Sequence, residues 1–196
     1  MESTEVLVAR HGETYWNRIS RWQGSSDIKL NQTGIQQARK LGELLSREKI
    51  TRIYSSDLQR AVTTATIISG IIGTGPVITD MRLRERGLGK FEGWKSEEVA
   101  RFLSIPLDQK HILETDELSI ENGPEVEPWE KFLKRIWDFM GEISPAGNNG
   151  KTLIVAHGGV LRAIEYSLTD KGFDLPVYGN CQFIRLSTDG KNWKIY

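Results

Sequence analysis

The stretch Val6-Leu7-Val8-Ala9-Arg10-His11-Gly12-Glu13-Thr14 decides the fold, and Leu153-Ile154-Val155-Ala156-His157-Gly158-Gly159 repeats its design. Each begins with an apolar run rich in β-branched side chains and closes on glycine. Such a run reads as a strand buried on both faces, the kind found in parallel sheets. Open α/β sheets bind ligands beyond the carboxyl ends of their strands, where the strand order reverses. The chain has 3 histidines, and His11 and His157 both arrive at such ends. With Arg10 beside the first, the pattern points to a site for an anion, phosphate foremost.

Outward from these strands, Trp16 to Lys29 carries the polar and glycine signals of a loop. Thr33-Gly-Ile-Gln36 then offers a capping box for a helix with Ile35, Ala38, Leu41 and Leu45 on its apolar face. Thr51 to Ser55 reads as a second strand. Ser56-Asp-Leu-Gln59 opens another helix, with Leu58, Ala61, Val62, Ala65 and Ile68 on one side, broken by Gly70 to Pro76. Val77-Ile78-Thr79 reads as a third strand, Asp80 to Trp94 as a loop over the sheet edge, and Ser96 as the cap of a short helix. Segment 104 to 124 reads as irregular. A longer helix from about Glu125 presents Trp129, Phe132, Leu133, Ile136, Phe139 and Ile143 as a broad apolar stripe. After the strand at 152 to 156, a helix runs from about Gly159 to Leu168. Cys181 to Leu186 and Asn192 to Tyr196, joined through Asp189-Gly190, read as a terminal hairpin.

Strands alternating with helices predict an α/β fold, a three-layer α/β/α sandwich whose mainly parallel sheet has an antiparallel edge. At 196 residues, with no repeat, low-complexity tract or linker, residues 1–196 read as a single domain with a sizeable core. Lys and Arg total 26 and Asp and Glu total 26, so no net field draws in nucleic acid or an anionic membrane. The expected partner is a small molecule, and the chain itself a monomer or homodimer. A lone cysteine, Cys181, the absence of a signal-like start and the absence of a membrane-length apolar run predict a cytoplasmic protein.

Singly, the candidate residues have ordinary readings. A histidine is commonly a hydrogen-bonded structural residue, Arg60 fits a solvated helix face, and Glu85 is one charge among several in Arg82-Leu-Arg-Glu-Arg86. His11 and His157 lie in separate segments with no third ligand suitably spaced, so no metal and no cofactor are expected. Glycine-rich nucleotide fingerprints are absent.

Together, four motifs change the reading: Arg10-His-Gly-Glu-Thr-Tyr-Trp-Asn17, Tyr54-Ser-Ser-Asp-Leu-Gln-Arg-Ala61, Leu83-Arg-Glu-Arg-Gly-Leu-Gly-Lys-Phe-Glu-Gly93 and Val155-Ala-His-Gly-Gly-Val-Leu-Arg162. In this order, over nearly the whole chain, they resemble the histidine phosphatase superfamily, in the branch of cofactor-dependent phosphoglycerate mutases and their phosphatase relatives. The resemblance implies that His11 is a nucleophile that carries the phosphoryl group as phosphohistidine, which requires a neutral ring. It implies that Arg10, Arg60, His157 and Asn17 cradle the phosphoryl oxygens, where positioning and charge stabilisation dominate. Glu85 is implied as the proton donor to the leaving oxygen and then the base for water. Gly158, Gln23 and Trp22 are taken as further substrate contacts, with Thr14 beside them. Trp16, Trp22, Phe91 and Trp94 either line a pocket or cover core, and His111 is given no role.

The branch holds both phosphatases and mutases. Against the glycolytic mutases, Gly159-Val160 replaces their usual Asn-Ser, and the interval from Glu85 to His157 is shorter. No arginine pair stands ready to grip a carboxylate, since Lys134-Arg135 reads as a solvated helix face. Asn122-Gly-Pro-Glu-Val126 only partly resembles the Gly-Glu-Ser usual in phosphatase relatives, so a substrate contact from Glu125 is not assigned. The expectation is a phosphomonoester phosphatase acting on a small phosphorylated substrate. A mutase and a catalytically idle binding or regulatory protein on the same fold are the alternatives.

Overall fold

The computed structural model describes residues 4–104, 125–143, 150–172 and 174–196. The segment expected to be irregular, with His111, lies outside them apart from Ser104, and so does the start of Asn122-Gly-Pro-Glu-Val126.

Among the described residues, strand β1 (Thr4–Arg10) leads through a short helix α1 (Tyr15–Arg18) to α2 (Gln32–Leu45). Then come β2 (Ile50–Ser55), α3 (Gln59–Ile72), β3 (Ile78–Thr79), two single 3-10 turns (Met81–Leu83 and Gly89–Phe91) and α4 (Ser96–Leu103). The chain continues as α5 (Trp129–Ile143), β4 (Lys151–Ala156), α6 (Gly158–Leu168), β5 (Phe183–Thr188) and β6 (Trp193–Ile195). One sheet contains these strands in the order β3-β2-β4-β1-β5-β6. β3, β2, β4 and β1 run parallel, while β5 pairs antiparallel with both β1 and β6. The expected mainly parallel sheet with an antiparallel edge is the one observed.

The two apolar runs that suggested buried strands divide their side chains by alternation, as a two-residue period requires. Val6, Val8, Ile154 and Ala156 pack on one face against Phe132, Ile136, Phe139 and Met140 of α5 and Val160, Leu161 and Ile164 of α6. Leu7, Ala9, Leu153 and Val155 pack on the other against Leu41 and Leu45 of α2 and Ala61, Ala65 and Ile68 of α3. This gives the three layers. A satellite cluster of Leu88, Phe91, Val99 and Val126, with Trp22 and Trp94 against it, lies under the loops. No helix among the described residues is long and apolar enough to cross a membrane.

Helix starts differ from the local reading in an informative way. Asn31, not Thr33, caps α2, its side chain accepting from the Gly34 amide at 2.8 Å. Ser56 reaches only the Leu58 amide, at 3.3 Å, and the first turn of α3 is instead held from the loop: Asp27 accepts from the Gln59 amide at 2.7 Å. The long helix begins at Trp129, four residues after the expected Glu125, because Val126 is used in a bridge to Leu88.

Candidate active site

Register assembles the site. β1 and β4 are neighbours with Arg10 opposite Ala156, so His11 and His157 leave the sheet side by side. The His11 amide donates to the Ala156 carbonyl at 3.0 Å, and the two rings stand 5.2 Å apart, edge to face. Close approach of the chain to α2 fixes the turn after His11: a Cβ on Gly12 would lie 2.4 Å from the Gly34 carbonyl oxygen, and one on Gly34 would lie 2.1 Å from that of Glu13. Neither backbone has room to yield.

Both rings are buried and both are oriented. His11 Nδ1 lies 2.7 Å from the Gly12 carbonyl, to which it must donate, so Nε2 keeps its lone pair. His157 Nδ1 accepts from Arg60 Nε at 3.2 Å, which puts the proton on Nε2, a buried atom with no hydrogen-bond partner. Burial, then the Arg60 and Arg10 charges, hold His11 well below the usual histidine range; burial and Arg60, with smaller contributions from His11, Arg135 and Arg10, do the same for His157. Each ring is therefore neutral near pH 7.

The same shifts govern stability. An unfolded histidine takes up a proton as pH falls below about 6.5, whereas these folded ones resist. Stability is thus complete above that value and declines between it and the lower folded values, by up to about 1.4 kcal/mol per pH unit for each histidine. Urea titrations from about pH 7 to 5 check this. A His11→Asn/His157→Asn variant is expected to show a shallower slope, and a wild type that gains stability on acidification would contradict the reading.

Two arginines complete the centre. Arg60 is fully buried in the first turn of α3, where Nη1 donates to the Ser26 carbonyl at 2.6 Å and Nη2 to that of Gly24 at 2.7 Å. With Nε on His157, three of its five N–H groups are committed and two remain for a ligand. Burial lowers its pKa to about 10, against the raising influence of Glu85, Asp27 and Glu92. Arg10 donates from Nη1 to the Tyr178 carbonyl at 2.5 Å, while its buried Nε has no partner. Two orphaned donors, Arg10 Nε and His157 Nε2, thus sit beside a neutral imidazole. Donors buried without acceptors are costly, and an anion is what relieves them.

Glu85 reaches the same place from the loop after the first 3-10 turn. One carboxylate oxygen accepts from the Gly159 amide and the other from the Arg86 amide, both at 3.0 Å. A Cβ on Gly159 would stand 2.2 Å from the Glu85 carboxylate oxygen that accepts from the Arg86 amide. Because that carboxylate ends a flexible side chain, a larger residue at 159 would displace the carboxylate and leave the fold alone.

Asn17 lines the cleft, with Oδ1 occupied by the Thr14 amide at 3.1 Å and Asn180 Nδ2 at 3.3 Å; this directs its own NH2 away from those partners. Gln23, also in the wall, has its amide oxygen held by the Thr14 hydroxyl at 3.0 Å. Trp22 lines the cleft and bonds Ser96 Oγ through its indole N–H at 3.1 Å. Gly158 opens α6 beside Arg10. Phe91 and Trp94 belong to the satellite core instead, and Trp16 lies over Gly93. The cleft, about 450 Å³, is lined by Arg10, His11, Arg60 and Glu85 together with the apolar Leu88, Trp129, Phe132 and Val177. Among the described residues no group of three or more His, Cys, Asp or Glu side chains is placed to hold a metal ion.

Local patterns gave no sign of several contributors. Tyr178 supplies the carbonyl for Arg10, and Asn180 donates to the His11 carbonyl at 3.0 Å. The Cys181 amide donates to the Arg10 carbonyl at 3.1 Å. Arg135, expected on a solvated face, is a correction: only Lys134 fits that description, paired with Asp138 at 2.6 Å, whereas the Arg135 side chain is 19% exposed and turned into the Glu85 loop.

Comparison with known proteins agrees with this geometry. The family profile of the histidine phosphatase superfamily (branch 1) matches residues 6–196. The chain is 37% identical to phosphoglycerate mutase-like protein 4 of Arabidopsis thaliana, over 84% of this chain and 70% of that protein. It is 34% identical to a metal-independent phosphoserine phosphatase of the same plant, over 86% of this chain and 70% of the relative. Among solved structures, mycobacterial glucosyl-3-phosphoglycerate phosphatase complexed with VO3 superposes with a TM-score of 0.85 at 26% identity, covering 98% of this chain and 97% of that one. A profile match over nearly every residue, on a sheet edge that pairs two neutral histidines with two arginines, leaves one conclusion: the chain belongs to the histidine phosphatase superfamily, branch 1, and is a hydrolase of that phosphatase type.

Proposed function

We propose that this hydrolase acts in the cytosol on small phosphorylated metabolites and passes the phosphoryl group to water through a phosphohistidine on His11. The observation that carries this reading is the pair of buried orphan donors, Arg10 Nε and His157 Nε2, flanking an imidazole whose free lone pair is on Nε2. In the first step the phosphoryl oxygens take hydrogen bonds from Arg10, Arg60, His157 and the Asn17 amide. His11 Nε2 attacks phosphorus, the P–O ester bond breaks, and Glu85 delivers its proton to the leaving oxygen. In the second step Glu85, now a carboxylate, removes a proton from water as that oxygen attacks phosphorus. The P–N bond breaks, inorganic phosphate leaves, and both His11 and Glu85 return to their starting states. Gly158, Gln23 and Trp22 contact the rest of the substrate.

Water is favoured over a second substrate hydroxyl because mutase chemistry must retain and reorient its intermediate in a near-attack pose. Arg135 cannot help to hold a phosphoglycerate carboxylate, since its guanidinium is spent on Glu127 and the Glu85 loop. The mutase-like relative keeps isomerisation as the competing reading.

A panel of phosphorylated metabolites tests the assignment. Phosphate release from the best ester is expected to exceed interconversion of phosphoglycerate isomers, even with bisphosphoglycerate priming. Activity is expected to survive exhaustive chelation, and vanadate to inhibit competitively as a five-coordinate mimic. Isomerisation outrunning every hydrolysis would transfer the assignment to the mutases, and loss with EDTA restored by Mg²⁺ or Zn²⁺ would refute metal independence.

A further inference from the structure

We propose that Arg135 and Glu127 are positioning residues that hold Glu85 within reach of the leaving oxygen; this rests on the role of Glu85 given above. Glu85 lies between two 3-10 turns, where no helix or strand ladder fixes the backbone. Arg135 supplies the missing ladder from α5. Its Nη1 donates to the carbonyls of Arg82 at 2.6 Å and Arg84 at 2.7 Å, and its Nη2 to that of Glu85 at 3.0 Å. The remaining N–H groups, on Nε and Nη2, go to the Glu127 carboxylate at 2.7 and 2.9 Å. All five guanidinium donors are thereby committed.

Glu127 closes the clamp from the other side. Its carboxylate accepts from the Gly87 amide at 3.1 Å, its amide donates to the Gly87 carbonyl at 2.9 Å, and its carbonyl accepts from Arg86 Nε at 2.6 Å. The side chains are 19% and 15% exposed, so solvent screens the pair only in part. Residues 82, 84 and 85 hang from Arg135 and residues 86 and 87 from Glu127, which leaves the Glu85 side chain directed at the Gly159 amide. Lysine keeps the charge at 135 but offers three donors in a different geometry and cannot span three carbonyls and a carboxylate.

Arg135→Lys, Glu127→Gln and Glu85→Gln are compared on an alkyl phosphate and on 2,4-dinitrophenyl phosphate, whose leaving group needs no proton, with thermal melts to check folding. Glu85→Gln is expected to slow the alkyl ester by about 10²-fold or more, the scale of general acid catalysis, and the aryl ester much less. Arg135→Lys is expected to reproduce this selectivity at about 10-fold or more in kcat, with KM little changed, since a misplaced catalytic group costs on that scale. Glu127→Gln follows in the same direction and decides the matter if Arg135→Lys does not fold. In a Glu85→Gln background, Arg135→Lys should slow the alkyl ester no further. Equal losses on both esters, no loss on either, or an undiminished effect in the Glu85→Gln background would overturn the proposal. If Glu85→Gln itself shows no selectivity, the acid assignment fails instead, and the two failures are told apart.

Discussion

Replacing His11 with alanine removes turnover by several orders of magnitude, about 10⁴-fold or more, the scale on which deletion of a catalytic nucleophile acts. The magnitude follows from what the cradle alone can do. Arg10, Arg60 and His157 remain to bind the phosphoryl group, so binding persists in the variant while the covalent route is lost. Trapping wild-type protein with labelled substrate should give a phosphoprotein that is labile to acid and stable to base, as a P–N bond requires, and the label should vanish in His11→Ala. The attacking atom is specified too, because Nδ1 is turned to the Gly12 carbonyl. Label on a serine, or near-normal turnover in the variant, would sink the nucleophile assignment.

The parts of the site legible in sequence are those with a local signature. Two apolar runs closed by His-Gly announce strands that end at the same sheet edge, and the β1–β4 register places those ends side by side. Arg60 fits a solvated helix face when read alone and enters the site only through the resemblance carried by the Tyr54–Ala61 motif; its side chain is buried and turned to His157. Contacts made across the fold have no period and escape such reading. Arg135 sits next to Lys134, whose i,i+4 pair with Asp138 is an ordinary surface pattern, yet its own partners include carbonyls 50 to 53 residues away. Asp27 caps a helix 32 residues on, displacing the local candidate Ser56. Tyr178 and Asn180 act through a stretch with no regular element, their positions set by the antiparallel return of β5 beside β1. The aromatic loop residues are ambiguous in sequence because apolar walls and satellite cores use the same side chains; geometry keeps Phe91 in the satellite core and lets Trp22 both pack against that core and line the cleft.

Arg60 carries the second large effect, since it does three things that a substitution would separate. It offers two uncommitted N–H groups to the phosphoryl oxygens, it fixes the His157 tautomer through Nε, and its charge depresses the pKa of both histidines. Arg60→Lys keeps a charge but loses the planar fork, so hydrolysis should fall by about 10²- to 10³-fold, the range for losing a preorganised donor to a developing anion. Arg60→Met should lose at least as much, and it also leaves the Ser26 and Gly24 carbonyls without their buried donor, costing about 1–3 kcal/mol each. The two variants part in their pH profiles. Without the Arg60 charge, burial and the Arg10 charge still depress His11 but less far, so its pKa rises toward the ordinary value and the acid limb of kcat moves to higher pH in Arg60→Met. With lysine the limb should move less. Measuring kcat against pH on an activated aryl phosphate, which bypasses the Glu85 proton, isolates the nucleophile. Turnover above about a tenth of wild type in Arg60→Met, where loss of an oxyanion donor predicts 10² or more, would remove Arg60 from the cradle, and an acid limb that moves to lower pH would remove its charge from the control of His11.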